Sequence, residues 1–250
     1  MDGLQNEQGT PAIVAEHLCK RYGNTVAVHD VSVTVGIGET VGIVGVNGAG
    51  KTTTVETIAG LRAPDGGRVR VLGLDPLRDR TALRQVLGVQ LQRATLHHAL
   101  TARELVDLYR SFYPDPVPAA ELLDSVELSD RGDTRFENLS GGQQQRLSVA
   151  LALVGRPRVV VLDELTTGLD PRARRRMWSA IERLRADGVA VLLVSHAMEE
   201  IEHLCDRVVL LDRGRVVAVG TPAGIVESAG AADLDDAFVA LTGRDLGETR

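Results

Sequence analysis

Short apolar runs alternate along this chain with polar turns and amphipathic stretches. Residues 31–35 alternate apolar and polar side chains, which predicts a half-buried strand, and the mostly apolar residues 40–44 predict a buried one. A glycine-rich turn follows, and residues 51–59 then have helical character up to Gly60, a residue suited to ending a helix. The pattern therefore predicts a strand, a glycine loop and a helix in succession.

From about residue 88 to residue 155 the pattern becomes mainly helical. Thr101 and Glu104 have the spacing of a capping box, and an amphipathic run to Tyr113 follows them. Prolines break that run, and a second helix is predicted at 119–126. We therefore expect a helical subdomain inserted in the chain.

Strands alternate with helices in the second half of the chain. A strand is predicted at 158–162, and a helix is predicted to begin at Pro171 with Asp170 as its N-cap. A strand at 189–194 follows, and after it come a short helix and two strands at 207–211 and 215–219. This alternation predicts a mostly parallel sheet covered on both faces.

Composition narrows the class of protein. Of 250 residues, 44% are hydrophobic, which is enough for a sizeable core, and the net charge of −6 makes nucleic acid a poor default partner. No run approaches the ~18 apolar residues of a membrane span, so we expect any membrane role to come through a partner. Cys19 and Cys205 lack metal-ligand spacing and are expected to be reduced thiols.

The glycine-rich turn matches the phosphate-loop pattern. Only two lysines occur among the 28 basic residues, and Lys51 is one of them, so the match is not expected by chance. Backbone N–H groups of such a loop surround phosphates, the lysine offsets their charge, and Thr52 binds Mg²⁺. The predicted contacts from this loop are Asn47, Gly48, Ala49, Gly50, Lys51, Thr52 and Thr53.

Two adjacent carboxylates end the strand predicted at 158–162. Asp163 can support a metal ion, and Glu164 can orient or deprotonate a water molecule. Taken alone, an acidic turn after a core strand explains the pair equally well. Together with the phosphate loop, the pair indicates an ATPase or a GTPase without choosing between them.

The choice comes from the string Leu-Ser-Gly-Gly-Gln at 139–143, which opens a helical run. With this string the chain resembles the ATP-binding cassette (ABC) family, and the resemblance covers about residues 13–226. It implies an α/β fold of the P-loop NTPase, ABC type, with a mostly parallel sheet core, an antiparallel β subdomain and an inserted helical subdomain. The cassette domain is expected at 11–228, with the helical subdomain at about 88–155 and a short tail at 229–250. As a second anion-binding surface, the resemblance implies nucleotide contacts from Ser140, Gly141, Gly142 and Gln143.

The resemblance also implies roles for single residues. Tyr22 matches the aromatic residue that stacks on adenine, with packing beside a strand as the alternative. Gln92 matches the glutamine that links the metal site to the helical subdomain, and Gln90 is a close competitor. His196 matches the residue that contacts the γ-phosphate. The implied catalytic residues are Glu164, His196, Lys51 and Gln92, and the implied metal ligands are Thr52, Gln92 and Asp163.

Two loop residues complete the resemblance and qualify it. Asp170, with Gly168 and Leu169, matches the loop through which paired cassettes communicate, and it also suits a helix cap. Leu165 departs from the family, which commonly has proline after the acidic pair. The change removes no catalytic group but leaves the turnover rate open.

As a whole, the resemblance implies an ATP-hydrolysing transporter subunit that uses ATP and Mg²⁺. It implies a head-to-tail dimer, expected to be a homodimer, with ATP between Lys51 of one chain and Ser140 of the other. A separate membrane permease would hold the dimer at the cytoplasmic side of the membrane. The sequence at residues 100–104 resembles that of cassettes from bacterial drug or antibiotic exporters. The alternative is a soluble ABC-type ATPase of DNA repair or translation, although the stretch from Thr52 to Leu139 leaves no space for a long coiled coil. The hypothesis of a GTP-dependent switch has less support, because neither lysine lies in a motif that recognises guanine.

Overall fold

The computed structural model describes residues 11–91 and 96–244, which form two β-sheets and two hydrophobic cores. The strands are β1 (Ile13–Tyr22), β2 (Thr25–Val35), β3 (Thr40–Val44), β4 (Gly66–Val71), β5 (Leu87–Gln90), β6 (Val159–Asp163), β7 (Ala190–Val194), β8 (Arg207–Asp212) and β9 (Arg215–Gly220). The helices are α1 (Lys51–Ile58), α2 (Arg80–Val86), α3 (Ala102–Arg110), α4 (Ala119–Ser125), α5 (Gly141–Leu153), α6 (Pro171–Ala186), α7 (Met198–Leu204), α8 (Pro222–Ala229) and α9 (Leu234–Thr242).

The larger sheet is mostly parallel, as predicted. Its strands lie in the order β5-β6-β7-β3-β8-β9, and every pairing is parallel except that of β8 with β9. Every residue of β3, β6 and β7 is buried, because helices cover both faces of a parallel sheet. This explains why these strands have nearly continuous apolar sequences instead of alternating ones.

The smaller sheet is antiparallel, which confirms the expected β subdomain. Its strands lie in the order β2-β1-β4, and β1 pairs with both neighbours. The register shifts after Ala15, and His17 has a φ of 51°, so the alternation of β1 is interrupted. The sheet joins the main core through buried residues such as Ile13 and Val33.

Helices α3, α4 and α5 enclose a second core, built around residues such as Leu105, Leu123 and Leu147. The predicted capping box is present, since the Thr101 hydroxyl accepts from the Glu104 N–H while the Glu104 carboxylate accepts from the Thr101 N–H. Val149 of α5 packs in the main core instead. Helix α5 therefore connects the two cores.

Two predicted boundaries, the start of the helical subdomain and the end of the cassette domain, fall within secondary-structure elements. Residues 88–90 belong to β5, which pairs with β6 in the main sheet, so the helical part begins after them. Residue 228 lies inside α8, and the expected tail contains α9, whose Phe238 is buried in the main core. Packed structure thus continues past the predicted end of the domain. In the described residues, no helix is both long and apolar enough to cross a bilayer.

Candidate functional site

Four neighbouring strands bring the candidate residues to one edge of the main sheet. Strands β5, β6, β7 and β3 are parallel neighbours, so their carboxyl ends meet at the same edge. The residues at or just beyond these ends are Gln90, Asp163, Glu164, Ser195, His196 and Gly45. Open α/β sheets bind ligands at this edge, so the fold assembles residues that are far apart in sequence.

The glycine loop after β3 needs its glycines for steric reasons. Gly50 has a φ of 101°, and a Cβ there would lie 2.6 Å from the Ala27 carbonyl oxygen. A Cβ on Gly45 would lie 2.3 Å from the Leu211 carbonyl oxygen. Because Gly50 precedes α1 and has no side chain to cap it, the first N–H groups of α1 can face an anion.

Lys51 lies at the start of α1 and folds back on the loop. Its ammonium donates to the carbonyl oxygens of Gly45 at 2.5 Å and Val46 at 3.1 Å. Burial lowers the pKa of Lys51, while the nearby carboxylates of Glu164 and Asp163 act in the opposite direction. The structure thus brings the predicted lysine and the predicted acid pair within electrostatic reach of each other.

The acid pair lies directly beside the predicted histidine. Asp163 is buried, and the Glu164 carboxylate lies 3.4 Å from the His196 Nδ1 atom. The Glu164 side chain is only 16% exposed, whereas that of His196 is 56% exposed. A carboxylate held beside a histidine at a strand edge can orient a water molecule and the histidine together. Leu165, which departs from the family pattern, is fully buried in the main core.

A glutamine reaches the acid pair from β5. The Gln90 Oε1 atom accepts from the Asp163 N–H at 3.2 Å, and the Gln90 Nε2 atom is buried with no hydrogen-bond partner among the described residues. Gln92, the residue expected to bind the metal, lies outside the described residues. Gln90 is therefore the glutamine that the structure places beside Asp163.

The candidate donor set fits a nucleotide-bound Mg²⁺. The Thr52 hydroxyl, the Asp163 carboxylate and a glutamine amide oxygen are all hard oxygen donors, which suit this ion. Among residues 11–91 and 96–244, no cluster of three or more His, Cys, Asp or Glu side chains could hold a metal. That finding is compatible with Mg²⁺, which is usually held by one or two carboxylates plus substrate phosphates.

The Leu-Ser-Gly-Gly-Gln string forms a capped helix start. The Ser140 hydroxyl accepts from the Gln143 N–H at 3.3 Å, and the Gln143 Oε1 atom accepts from the Ser140 N–H at 2.9 Å. The remaining N–H groups of the first turn belong to Gly141 and Gly142, which carry no side chain. Residues of this turn line a cavity of about 670 Å³ with Glu164 and Asp170. Asp170 caps α6 as predicted, with its carboxylate accepting from two backbone N–H groups.

Tyr22 lies at the end of β1 and remains 42% exposed. The Arg62 guanidinium lies 5.1 Å from its ring centroid and the Lys20 ammonium lies 5.9 Å away. A carboxylate holds each cation, since Glu56 pairs with Arg62 and Asp65 pairs with Lys20. An exposed ring flanked by fixed cations can stack on a flat base.

Sequence reasoning missed Gln145, which links α5 to the acidic loop. Its Nε2 atom donates to the carbonyl oxygens of Glu164 at 2.9 Å and Leu165 at 3.3 Å. The acceptors are backbone atoms 19 and 20 residues away, so no residue pattern could reveal them. The only signal in the sequence was a run of glutamines at the start of a helix that is otherwise largely apolar.

A glycine phosphate loop joined to an acidic strand end on a parallel sheet defines a phosphate-loop nucleoside triphosphatase. Comparison with known proteins narrows this class. A family model described as "ABC transporter" matches residues 28–167. Nod factor export ATP-binding protein I of Burkholderia orbicola (strain AU 1054) is 42% identical over 215 residues, covering 84% of this chain and 70% of that protein.

Other relatives agree with this family. The daunorubicin resistance ATP-binding protein DrrA2 of Streptomyces coeruleorubidus is 39% identical, with 86% of this chain and 68% of that protein covered. A solved ATP-binding subunit of an ABC transporter superposes with a TM-score of 0.85 at 30% identity, covering 92% of this chain and 99% of that one. A dimeric cassette in a post-hydrolysis state, bound to ADP and Pi, has a TM-score of 0.78 at 27% identity, covering 84% and 98%.

The chain therefore belongs to the ABC transporter family, as its ATP-binding subunit. It is an ATPase cassette that binds ATP, as expected from the sequence. Subunits of this kind dimerise and work with membrane permease subunits. The comparisons do not favour the alternative of a soluble ATPase in DNA repair or translation.

Proposed function

We propose that this subunit drives export of a drug-like or antibiotic-like compound, as a homodimer bound to a separate permease at the cytoplasmic side of the membrane. The names of its relatives support export, since they include Nod factor export and daunorubicin resistance proteins. The observation that carries the chemical part of the proposal is the assembly of Lys51, Glu164 and His196 at one sheet edge.

Each residue at the edge has a distinct task in this proposal. The loop N–H groups and Lys51 hold the β- and γ-phosphates, so the negative charge that spreads during in-line transfer is offset where it develops. Glu164 orients the attacking water and accepts its proton, and His196 contacts the γ-phosphate. Thr52 and Asp163 would hold Mg²⁺, which would supply Lewis-acid stabilisation of the charge on the phosphate oxygens. Gln90 or Gln92 would contribute an amide oxygen there.

The base and the second phosphate cradle complete the proposed site. Tyr22 stacks on adenine, with Arg62 and Lys20 holding the ring. Ser140 lies at the start of α5, whereas the phosphate loop with Lys51 follows β3, so in this proposal Ser140 meets a nucleotide held by Lys51 of a second chain. Each chain carries both halves, so two copies form two complete sites.

The role of the acid pair is tested by Glu164→Gln. We expect ATP turnover to fall ~10²–10⁴-fold, the range for a positioned general base, while ATP binding remains, because the amide keeps the shape and loses the basicity. Turnover is measured by phosphate release and binding by titration with a fluorescent ATP analogue. Glu199→Gln is the matched control, since Glu199 is exposed and its carboxylate pairs with Arg174. Equal turnover in Glu164→Gln and wild type would remove Glu164 from this role.

The permease is tested separately. Affinity purification of the chain from membranes of the cells that produce it should also recover a protein with several membrane spans. Recovery of ribosomes or nucleic acid without such a protein would contradict the transport assignment. Because substrate selection depends on the permease, the compound itself is identified by accumulation assays in cells lacking either subunit.

A further inference from the structure

Gln145 makes a contact that joins two parts of the molecule. It lies on α5, two residues after the Leu-Ser-Gly-Gly-Gln string, and its side-chain amide donates to the backbone carbonyl oxygens of Glu164 and Leu165 at 2.9 and 3.3 Å. Gln145 is only partly exposed, so water competes less strongly for these bonds than at an open surface. The helix that carries the string is therefore tied to the backbone of the acidic loop in the same chain.

Glu164 depends on such contacts because of its backbone conformation. Its φ of 56° lies in the left-handed region, which costs a residue with a side chain of order 1–3 kcal/mol and persists only where the surroundings impose it. The Glu164 N–H donates to the Val194 carbonyl oxygen of β7 at 2.8 Å, while Gln145 binds the Glu164 carbonyl oxygen. The residue is thus held at both its amide and its carbonyl, from two different elements.

We propose that Gln145 is a positioning residue that holds the Glu164 carboxylate in its productive place and couples it to the first turn of α5. The inference rests on the catalytic role of Glu164 proposed above. Because Ser140 and Gln143 on that turn would face the nucleotide of the second chain, a shift of α5 on engaging it moves the carbonyl of Glu164 in the first chain. Gln145 would thereby relay the occupancy of one ATP site to the other.

The test replaces Gln145 by methionine, which has a similar length and no hydrogen-bond donor. We expect kcat for ATP to fall about 10- to 100-fold, since misplacement of a reacting group by ~1 Å can cost that much, while KM changes less than about twofold. Gln145→Asn, which keeps an amide but is one methylene shorter, should lose kcat likewise and serves if the methionine variant folds poorly. Thermal unfolding of each purified full-length variant checks folding.

Gln144 offers a matched control on the same helix. Its Nε2 atom also donates to two backbone carbonyl oxygens, those of Phe136 at 3.0 Å and Leu139 at 3.1 Å, but both lie in the helical part. Gln144→Met therefore removes the same kind of bond without touching Glu164. We expect it to keep kcat within about twofold of wild type. An equal loss in both variants would show general bracing of α5 and overturn the proposal.

A double-mutant cycle separates positioning from a structural role. If Gln145 acts through Glu164, adding Gln145→Met to Glu164→Gln should lower the residual single-turnover rate by less than about twofold, because the group being positioned is already disabled. A full additional loss, or wild-type kcat in Gln145→Met alone, overturns the inference and leaves the role of Glu164 standing. Normal turnover in Glu164→Gln would instead remove the proposed catalytic role together with this inference.

Discussion

At the scale of single residues, the site is built mainly from backbone constraints. Gly50 leaves α1 without a side-chain cap, and Glu164 has a left-handed backbone whose N–H is bonded to β7. These backbone features fix the positions from which the charged side chains extend. The side chains therefore need little rearrangement when charge develops on a phosphate. The Lys51 ammonium is also held in place, because it is partly buried and lies close to the carboxylates of Glu164 and Asp163.

Tyr22 gives a test at this scale. Tyr22→Ala should raise KM for ATP about 5- to 150-fold with kcat nearly unchanged, because loss of one base–aromatic stack costs ~1–3 kcal/mol and the stack is the same in the ground and transition states. Tyr22→Phe is the control, since it keeps the ring and removes only the hydroxyl. Steady-state phosphate release over a range of ATP concentrations measures both constants. A fall in kcat with unchanged KM would assign Tyr22 a different task.

Among the elements, buried strands were the easiest to predict and interrupted or short ones the hardest. Residues 40–44 were predicted with the bounds of β3, since every side chain there is buried and Gly45 follows the run directly. Strand β1 was not predicted as a strand, because the irregularity near His17 breaks its alternation. Strand β5 has four residues and was included in the helical part, and α9 was included in a tail.

The site was predictable to the extent that it follows local patterns. The glycine loop, the acid pair and the Leu-Ser-Gly-Gly-Gln string are contiguous in sequence, so their residue types alone indicated phosphate chemistry. Their mutual distances were not predictable, because they depend on the strand order of the sheet. Neither the approach of His196 to Glu164 nor the contact of Gln90 with Asp163 has a local signature.

A charged pair between elements provides a pH-dependent test. Glu39, just before β3, pairs with Arg207 at the start of β8, with Nε and Oε1 2.5 Å apart. Burial acts to raise the pKa of Glu39, but hydrogen bonds from Arg207 and the Gly36 N–H outweigh it and hold the pKa below its usual 4.5. A lowered folded-state pKa stabilises the fold at pH values above the unfolded pKa, and this stabilisation is lost as pH falls through the folded pKa.

Glu39→Gln should therefore lower the free energy of unfolding by about 1–2 kcal/mol at pH 7, allowing for partial exposure of the pair. The difference from wild type should shrink as the pH falls from about 4.5 through the lower pKa of folded Glu39, because the carboxylate of the folded wild type then becomes protonated. Urea unfolding at several pH values measures it. Glu137→Gln is the control, because its carboxylate lies 4.0 Å from Arg135 in an exposed pair. A difference that stayed constant with pH would exclude the charge of Glu39 as its cause.

At the scale of the whole molecule, the two nucleotide-binding halves belong to different parts of the chain. The phosphate loop follows β3 in the main sheet, whereas the Leu-Ser-Gly-Gly-Gln turn begins α5, which packs largely in the second core. This separation favours a head-to-tail pair in which each site draws on both chains. It also makes the pairing testable by mixing two defective chains.

We expect purified Lys51→Ala and Ser140→Arg chains each to lack ATP turnover, because each removes one half of both sites. A mixture should recover about a quarter of wild-type turnover, since half of the randomly formed dimers are mixed and each of these has one complete site. Phosphate release after mixing measures the recovery, and each variant chain measured alone gives the baseline. No recovery despite dimer formation in light scattering would contradict the shared site.

Because α5 packs in both cores, a change in the second core alone can disable one nucleotide-binding half of the chain and leave the other intact. If the second core loosens while the main sheet persists, the chain keeps its phosphate loop and loses its Leu-Ser-Gly-Gly-Gln turn. In the head-to-tail homodimer proposed above, such a chain would still bind ATP and pair with an intact copy, but the pair would have only one complete site. A substitution in the second core would therefore remove one working site from every mixed pair, although both chains of that pair could still bind ATP.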